Sequence, residues 1–308
     1  MGTEGSILIP NVNVLEADVL DPGMKPLDAG RTKTSILFFL LLTFSFSSIF
    51  YRRIIHPTPT GIQGGHDVLW LMWCPGISGL LTRLIFQHNW RGQGFGWGKA
   101  KYLLASYWIP LAYAGAVYLP VWFAGYFDAR SQVLAHMAEG FPTLPHWFLI
   151  AMFFVFTSTV GFASSCTSAL GEELGWRGFM VPQLNKLLPF PAVGLISGIT
   201  WALWHYPLIL FSSYRGAGPL WYSLLCFTVM VIGIAFLCAW MRLKSGSVWT
   251  AMFLHAGHNI FIQSFFDAQT RHSRLTDLWT TEFGAGLAIA GVVMAAICYS
   301  KRGELPTR

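Results

Sequence analysis

Residues 172 to 178 read Glu-Glu-Leu-Gly-Trp-Arg-Gly, a charged cluster set among long apolar, aromatic-rich windows. Ionisable groups at membrane depth cost about 2.5–3.5 kcal/mol each on insertion scales, so they tend to be kept for function or for a specific pairing. On a helix, Glu173 and Arg177 are four apart in the favoured acid-before-base order and can pair. Glu172 is turned about 100° away and has no local basic partner. The plainer alternative is that both glutamates sit at an interfacial helix end, paired with Arg177 and water. Two other windows carry polar groups. His205 stands in Thr-Trp-Ala-Leu-Trp-His-Tyr-Pro, where Pro207 is expected to break the helix and open a polar gap. Leu254-His255-Ala256-Gly257-His258-Asn259 puts His255 and Asn259 one turn apart, with His258 close to the same face. Each taken alone could be a satisfied core histidine or interhelical glue of about 0.6 kcal/mol per bond. Together they are the parts for water-activated hydrolysis. The carboxylate could act as general base and then general acid. His205 could hold the water, and His255 with Asn259 could donate to a developing oxyanion.

The elements that must position these groups are transmembrane helices. The chain is 54% apolar and only 11% charged over 308 residues, which excludes an ordinary soluble domain. A net charge of +6 does not point to nucleic acid here, because the basic residues lie mostly at the ends of apolar windows. The five cysteines occur singly, without Cys-x-x-Cys spacing, and read as apolar filler. Residues 1–34 read as a flexible polar tail without a secretory signal. Apolar windows follow at 35–51, 67–87, 102–126, 147–170, 190–212, 219–241, 247–267 and 283–300, several near the ~20 residues that span hydrocarbon. The expected fold is all-α, a polytopic transmembrane helix bundle of about eight spans. Seven would remain if Pro75, Gly76, Gly79 and Arg83 make the second window kinked or re-entrant. No internal repeat appears, so residues 35–300 read as one bundle with a motif core at 147–267 and a short basic tail at 301–308. Arg31, Lys33, Arg83, Arg91, Lys99, Lys101, Arg242, Lys244, Lys301 and Arg302 place both termini in the cytoplasm, with Arg52, Arg53, Arg271 and Arg274 against. The connections at 127–146 and 268–282, where Glu282 lies, balance their charges and suit the outer face.

The three clusters resemble the signature of the CAAX prenyl protease type II family, which includes bacteriocin-processing and immunity-related membrane proteins. The glutamate pair followed by Arg is present as Glu172, Glu173 and Arg177. The aromatic residue four before His is Trp201 with His205, where the family usually has Phe. The His followed by Asn is His255 with Asn259. The resemblance covers about residues 147–267. It implies an intramembrane endopeptidase in which Glu172 activates water with His205, His255 and Asn259 form the oxyanion site, and Glu173 with Arg177 supports the motif. The implied partners are the lipid bilayer and a membrane-anchored or lipidated peptide, prenylated or not.

Rival chemistries stay open at this point. No cofactor is expected, but Glu172, His205 and His255 could instead make a zinc site with an open position, although no His-Glu-x-x-His helix is present. A serine mechanism lacks a nucleophile elbow near Ser164 or Ser165. Asp267 and Asp277 fall at a window end and in a loop, unlike an aspartyl pair. A transporter would use buried charges as a relay but predicts paired broken helices, and a silent scaffold would keep the cluster only as packing.

Overall fold

The computed structural model describes residues 28–57 and 64–306, and these form helices without a named strand. Ten helices organise them: α1 (Ala29–Ile55), α2 (Gly64–Gln87), α3 (Ala100–Tyr126), α4 (Gln132–Gly140), α5 (His146–Leu187), α6 (Phe190–Phe211), α7 (Leu220–Ser245), α8 (Val248–His258), α9 (Arg274–Trp279) and α10 (Ala285–Ser300). A π-helical stretch, Asn259–Phe266, prolongs α8. Every apolar window became a helix, and α1, α2, α3, α5, α6 and α7 are long and apolar enough to cross a membrane. The chain is a multi-pass integral membrane protein. Six rather than eight helices meet that standard among the described residues. The polar residues of α8 lower its hydropathy, and α10 is only 16 residues long.

Most of the expected polar tail, 1–27, lies outside the described residues, but its end is helical. Asp28 caps α1, its Oδ1 accepting from the Arg31 amide at 2.7 Å, so the helix starts before the apolar run does. Window two is a continuous helix with Pro75 inside it. Pro207 likewise lies within α6, which runs on to Phe211, so the expected break at His205 is absent. An X-Pro step removes one backbone donor, and helices in an apolar bundle tolerate it when neighbours hold the rod. Instead, departures from α geometry occur as wide turns at Trp122–Tyr126, Thr157–Gly161, Leu174–Met180 and Asn259–Phe266. Two of these abut the motif residues, where such bulges recur at functional sites.

The small residues beside the glutamates have a visible use. A Cβ added at Gly171 would lie 2.8 Å from the Met72 carbonyl and 2.9 Å from Trp73 Cα, and one at Gly175 would strike the Pro75 backbone. Glycines there let α2 seat directly on the motif-bearing part of α5. Gly233 of α7 does the same against Gly291 of α10. Lipid-facing sides remain apolar, with Leu37, Leu104, Trp147 and Val292 exposed.

Arg83 and Arg242, counted as orientation signals, are buried and brace the 88–99 connection. Arg83 Nε donates to Gln93 Oε1 at 2.9 Å, and Arg242 Nε donates to the Arg177 carbonyl at 3.0 Å. The connections at 127–146 and 268–282 are not plain loops. They contain α4 and α9, and they pair through Arg271 N–H to the Tyr126 carbonyl at 2.7 Å and Asp128 N–H to the Gln269 carbonyl at 2.8 Å.

Candidate active site

Glu172 and Glu173 close the α-helical part of α5, just before the wide turn Leu174–Met180. Both carboxylates are buried and they face different neighbours. Glu173 Oε1 accepts from Arg177 NH1 at 2.8 Å, the i,i+4 pair expected from sequence. The same oxygen receives His255 Nδ1 at 2.9 Å. The Arg177 guanidinium also lies 4.2 Å from the centroid of the Trp201 ring, a cation–π contact in a dry site.

Glu172 is held by indoles rather than by a base. Its Oε2 accepts from Trp201 Nε1 at 2.7 Å and from Trp176 Nε1 at 3.4 Å. Trp176 is four residues on from Glu172, so helical spacing alone could have named it. Trp201 could not be found that way, because it reaches the carboxylate from α6. It stands where the resembled family usually has Phe, a residue without a donor, so in this chain the substitution adds a hydrogen bond to the candidate base.

His205 Nδ1 lies 2.9 Å from the Trp201 carbonyl, which can only accept. Nδ1 therefore carries a proton, and the neutral ring keeps an Nε2 lone pair for the cavity. An ionised Glu173 places the same demand on His255 Nδ1, so Nε2 of His255 donates only when the ring is an imidazolium.

Glu172, His205, His255 and Asn259 all line one cavity of about 760 Å³, together with His258, Gln263 and Glu282. Most of its remaining wall is apolar, including Val68, Leu71, Leu208, Phe211 and Met230. Among its exposed lining residues, Pro57, Ser213 and Arg215 lie on connections at the ends of α1 and α6 away from the termini. A second cavity of about 470 Å³ adjoins it, sharing Tyr214, Arg215, Gln263 and Glu282.

Four polar members of the site escaped the sequence reading: Tyr113, Tyr214, Gln263 and Glu282. Glu282, read as an outer-loop charge, is buried. Burial works against its ionisation, but hydrogen bonds from His258, Tyr214 and Gln263 outweigh it and hold its carboxyl down at about 2. Burial first, and then the Glu282 charge, push the Tyr214 hydroxyl well above its ordinary range. Among the described residues no three His, Cys, Asp or Glu side chains are grouped as a metal ion requires.

Residues 145–261, which carry all four cavity-lining candidates, match the family described as Type II CAAX prenyl endopeptidase Rce1-like. This segment is similar to that family. A CAAX prenyl protease 2 from Methanococcus maripaludis is 33% identical over 93 residues, which is 29% of this chain and 34% of that protein. The similarity thus spans about a third of the relative's length. The Rce1-like segment holds Glu172, Glu173, His205 and His255, whereas Gln263 and Glu282 line the cavity from outside it.

Proposed function

We propose that the chain is an intramembrane endopeptidase that hydrolyses a peptide bond near the end of a membrane-anchored peptide. The observation that carries the reading is the convergence of Glu172, His205, His255 and Asn259, from three separate helices, on one largely apolar cavity. A water molecule gives one hydrogen to Glu172 and directs the other at His205 Nε2, and its oxygen attacks the scissile carbonyl carbon. The oxyanion accepts from the Asn259 amide and from Nε2 of His255, whose imidazolium has Glu173 as counter-ion. Glu172 then passes its proton to the amide nitrogen, the C–N bond breaks, and a carboxylic acid and an amine leave. Metal-free hydrolysis is part of this reading, and so is the division of residues 35–300 as one bundle around a motif core at 147–267. The apolar walls suit a lipid-borne substrate, with or without a prenyl group.

The test is cleavage of a membrane-tethered peptide library by the purified protein, with prenylated and unprenylated anchors. Cleavage that continues unchanged in chelator is the expected result. Loss of activity in chelator with recovery on adding zinc would replace the glutamate–water scheme by a metal enzyme. Proton flux in liposomes without any cleavage would replace it by a transporter.

With both termini in the cytoplasm, as the charge pattern favours, the cavity mouth lies on the opposite face. Ser213→Cys is therefore expected to react with an impermeant maleimide from the non-cytoplasmic side, and Lys301→Cys from the cytoplasmic side. Labelling of both from one side would overturn the even number of crossings. Reversed labelling would overturn the orientation.

A further inference from the structure

Glu282 lies on the turn before α10, outside the Rce1-like segment, yet one of its oxygens reaches the helix that carries His255 and the other the connection that leaves the helix of His205. Oε1 accepts from His258 Nε2 at 3.0 Å, and His258 sits on α8 between His255 and Asn259. Oε2 accepts from the Tyr214 hydroxyl at 2.7 Å, on the connection that leaves α6. The Tyr214 ring stands 6.3 Å from that of His205. An ionised carboxylate only accepts, so His258 carries its proton on Nε2. In the neutral ring Nδ1 is then left to accept from the Tyr113 hydroxyl of α3 at 2.6 Å. Neither His258 nitrogen is free for substrate, so the ring works as a bolt rather than as a base.

The turn that presents Glu282 is held in an unfavourable conformation. Thr281 is β-branched and has φ 64°, a region such residues rarely enter. Its N–H donates to the Tyr118 hydroxyl of α3 at 2.8 Å. Local strain of this kind persists where the surroundings over-determine it, and it clusters at functional sites.

We propose that Glu282 is a positioning residue whose carboxylate ties the end of α6 to α8 and so sets the spacing between His205 and the His255–Asn259 pair. Its catalytic readout rests on the hydrolytic reading above; its structural readout does not. In Glu282→Gln the side chain keeps its size, but the amide nitrogen turns a donor toward one of the three donors it had joined. The expected result is a fall in kcat of about 10- to 100-fold, the scale of a small misplacement of reacting groups. KM should stay within about twofold and the thermal midpoint within a few degrees of wild type. Tyr214→Phe cuts only the α6 arm and should lower kcat less. The double variant should be no slower than Glu282→Gln alone, because both changes break one clamp. Losses that multiply, or a raised KM with kcat intact, overturn the proposal.

A wild type that cleaves no peptide would sink the endopeptidase reading by itself. The clamp is then decided by the ¹⁵N spectrum of histidine-labelled protein, with His258 assigned by its loss in His258→Asn. Wild type should show a His258 ring protonated on Nε2, and Glu282→Met a mixture of tautomers. An unchanged His258 signal in Glu282→Met overturns the clamp.

Discussion

Glu172→Gln is expected to lower kcat for cleavage of a tethered peptide by at least about a thousandfold. A positioned general base or acid is typically worth about 10²–10⁴, and here one carboxylate serves both steps. The fold should not change. A glutamine oxygen can still accept from Trp201 Nε1, which now lies 2.7 Å from Glu172 Oε2, and the site is buried in a cage of indoles that fits either side chain. The variant should therefore unfold at the wild-type temperature and bind substrate with a similar KM. Cleavage at the wild-type rate by Glu172→Gln would remove Glu172 from the chemistry, and attention would pass to the histidines.

Separating the two charges of the Glu173–Arg177 pair is the second large effect. Both side chains have no solvent exposure, and Glu173 Oε1 is shared by Arg177 and His255. Removing one partner of such a pair leaves an uncompensated buried charge, at a cost of about 3–5 kcal/mol. Glu173→Leu and Arg177→Met should each show that loss in denaturant unfolding in detergent. Replacing both removes the charges together, so Glu173→Leu/Arg177→Met should recover most of the stability. Activity should not recover with it, because His255 Nδ1 has then lost its acceptor and its imidazolium has lost its counter-ion. A double variant that regains cleavage along with stability would show that Glu173 serves the fold alone. One that stays as unstable as the singles would show that the pocket needs the pair's shape rather than its charge balance.

The contrast between the two glutamates shows what could be read before any coordinates. Helical spacing separates neighbouring side chains by about 100° and joins those four apart, so Glu173 could be assigned to Arg177 and Glu172 set aside as different. The apolar windows were equally legible, since a helix must hide its backbone from lipid over a fixed length. Asn259 followed His255 onto the cavity because the two are one turn apart where α8 passes into its π-helical extension. These relations are local, within about a turn or within one helix.

What lay between helices was not legible. The Trp201 indole that holds Glu172 comes from α6, so it depends on how α5 and α6 meet. Pro207 does not break α6 because the bundle holds the helix through it. Arg83 and Arg242 looked like loop charges of the membrane surface and proved to be internal braces, since Arg242 is met by carbonyls of distant segments and Arg83 by a connection that folds back onto it. Glu282 was the largest miss for the same reason. Nothing near it in sequence accepts or donates as His258 and Tyr214 do. The sequence by itself determined the helices, the i,i+4 ion pair and the chemical kinds of the site residues, because periodicity and hydropathy act over neighbouring positions. Only the tertiary structure decided which carboxylate meets which imidazole, which ring nitrogen is left free, and where the cavity opens. Those are set by packing between segments far apart in the chain.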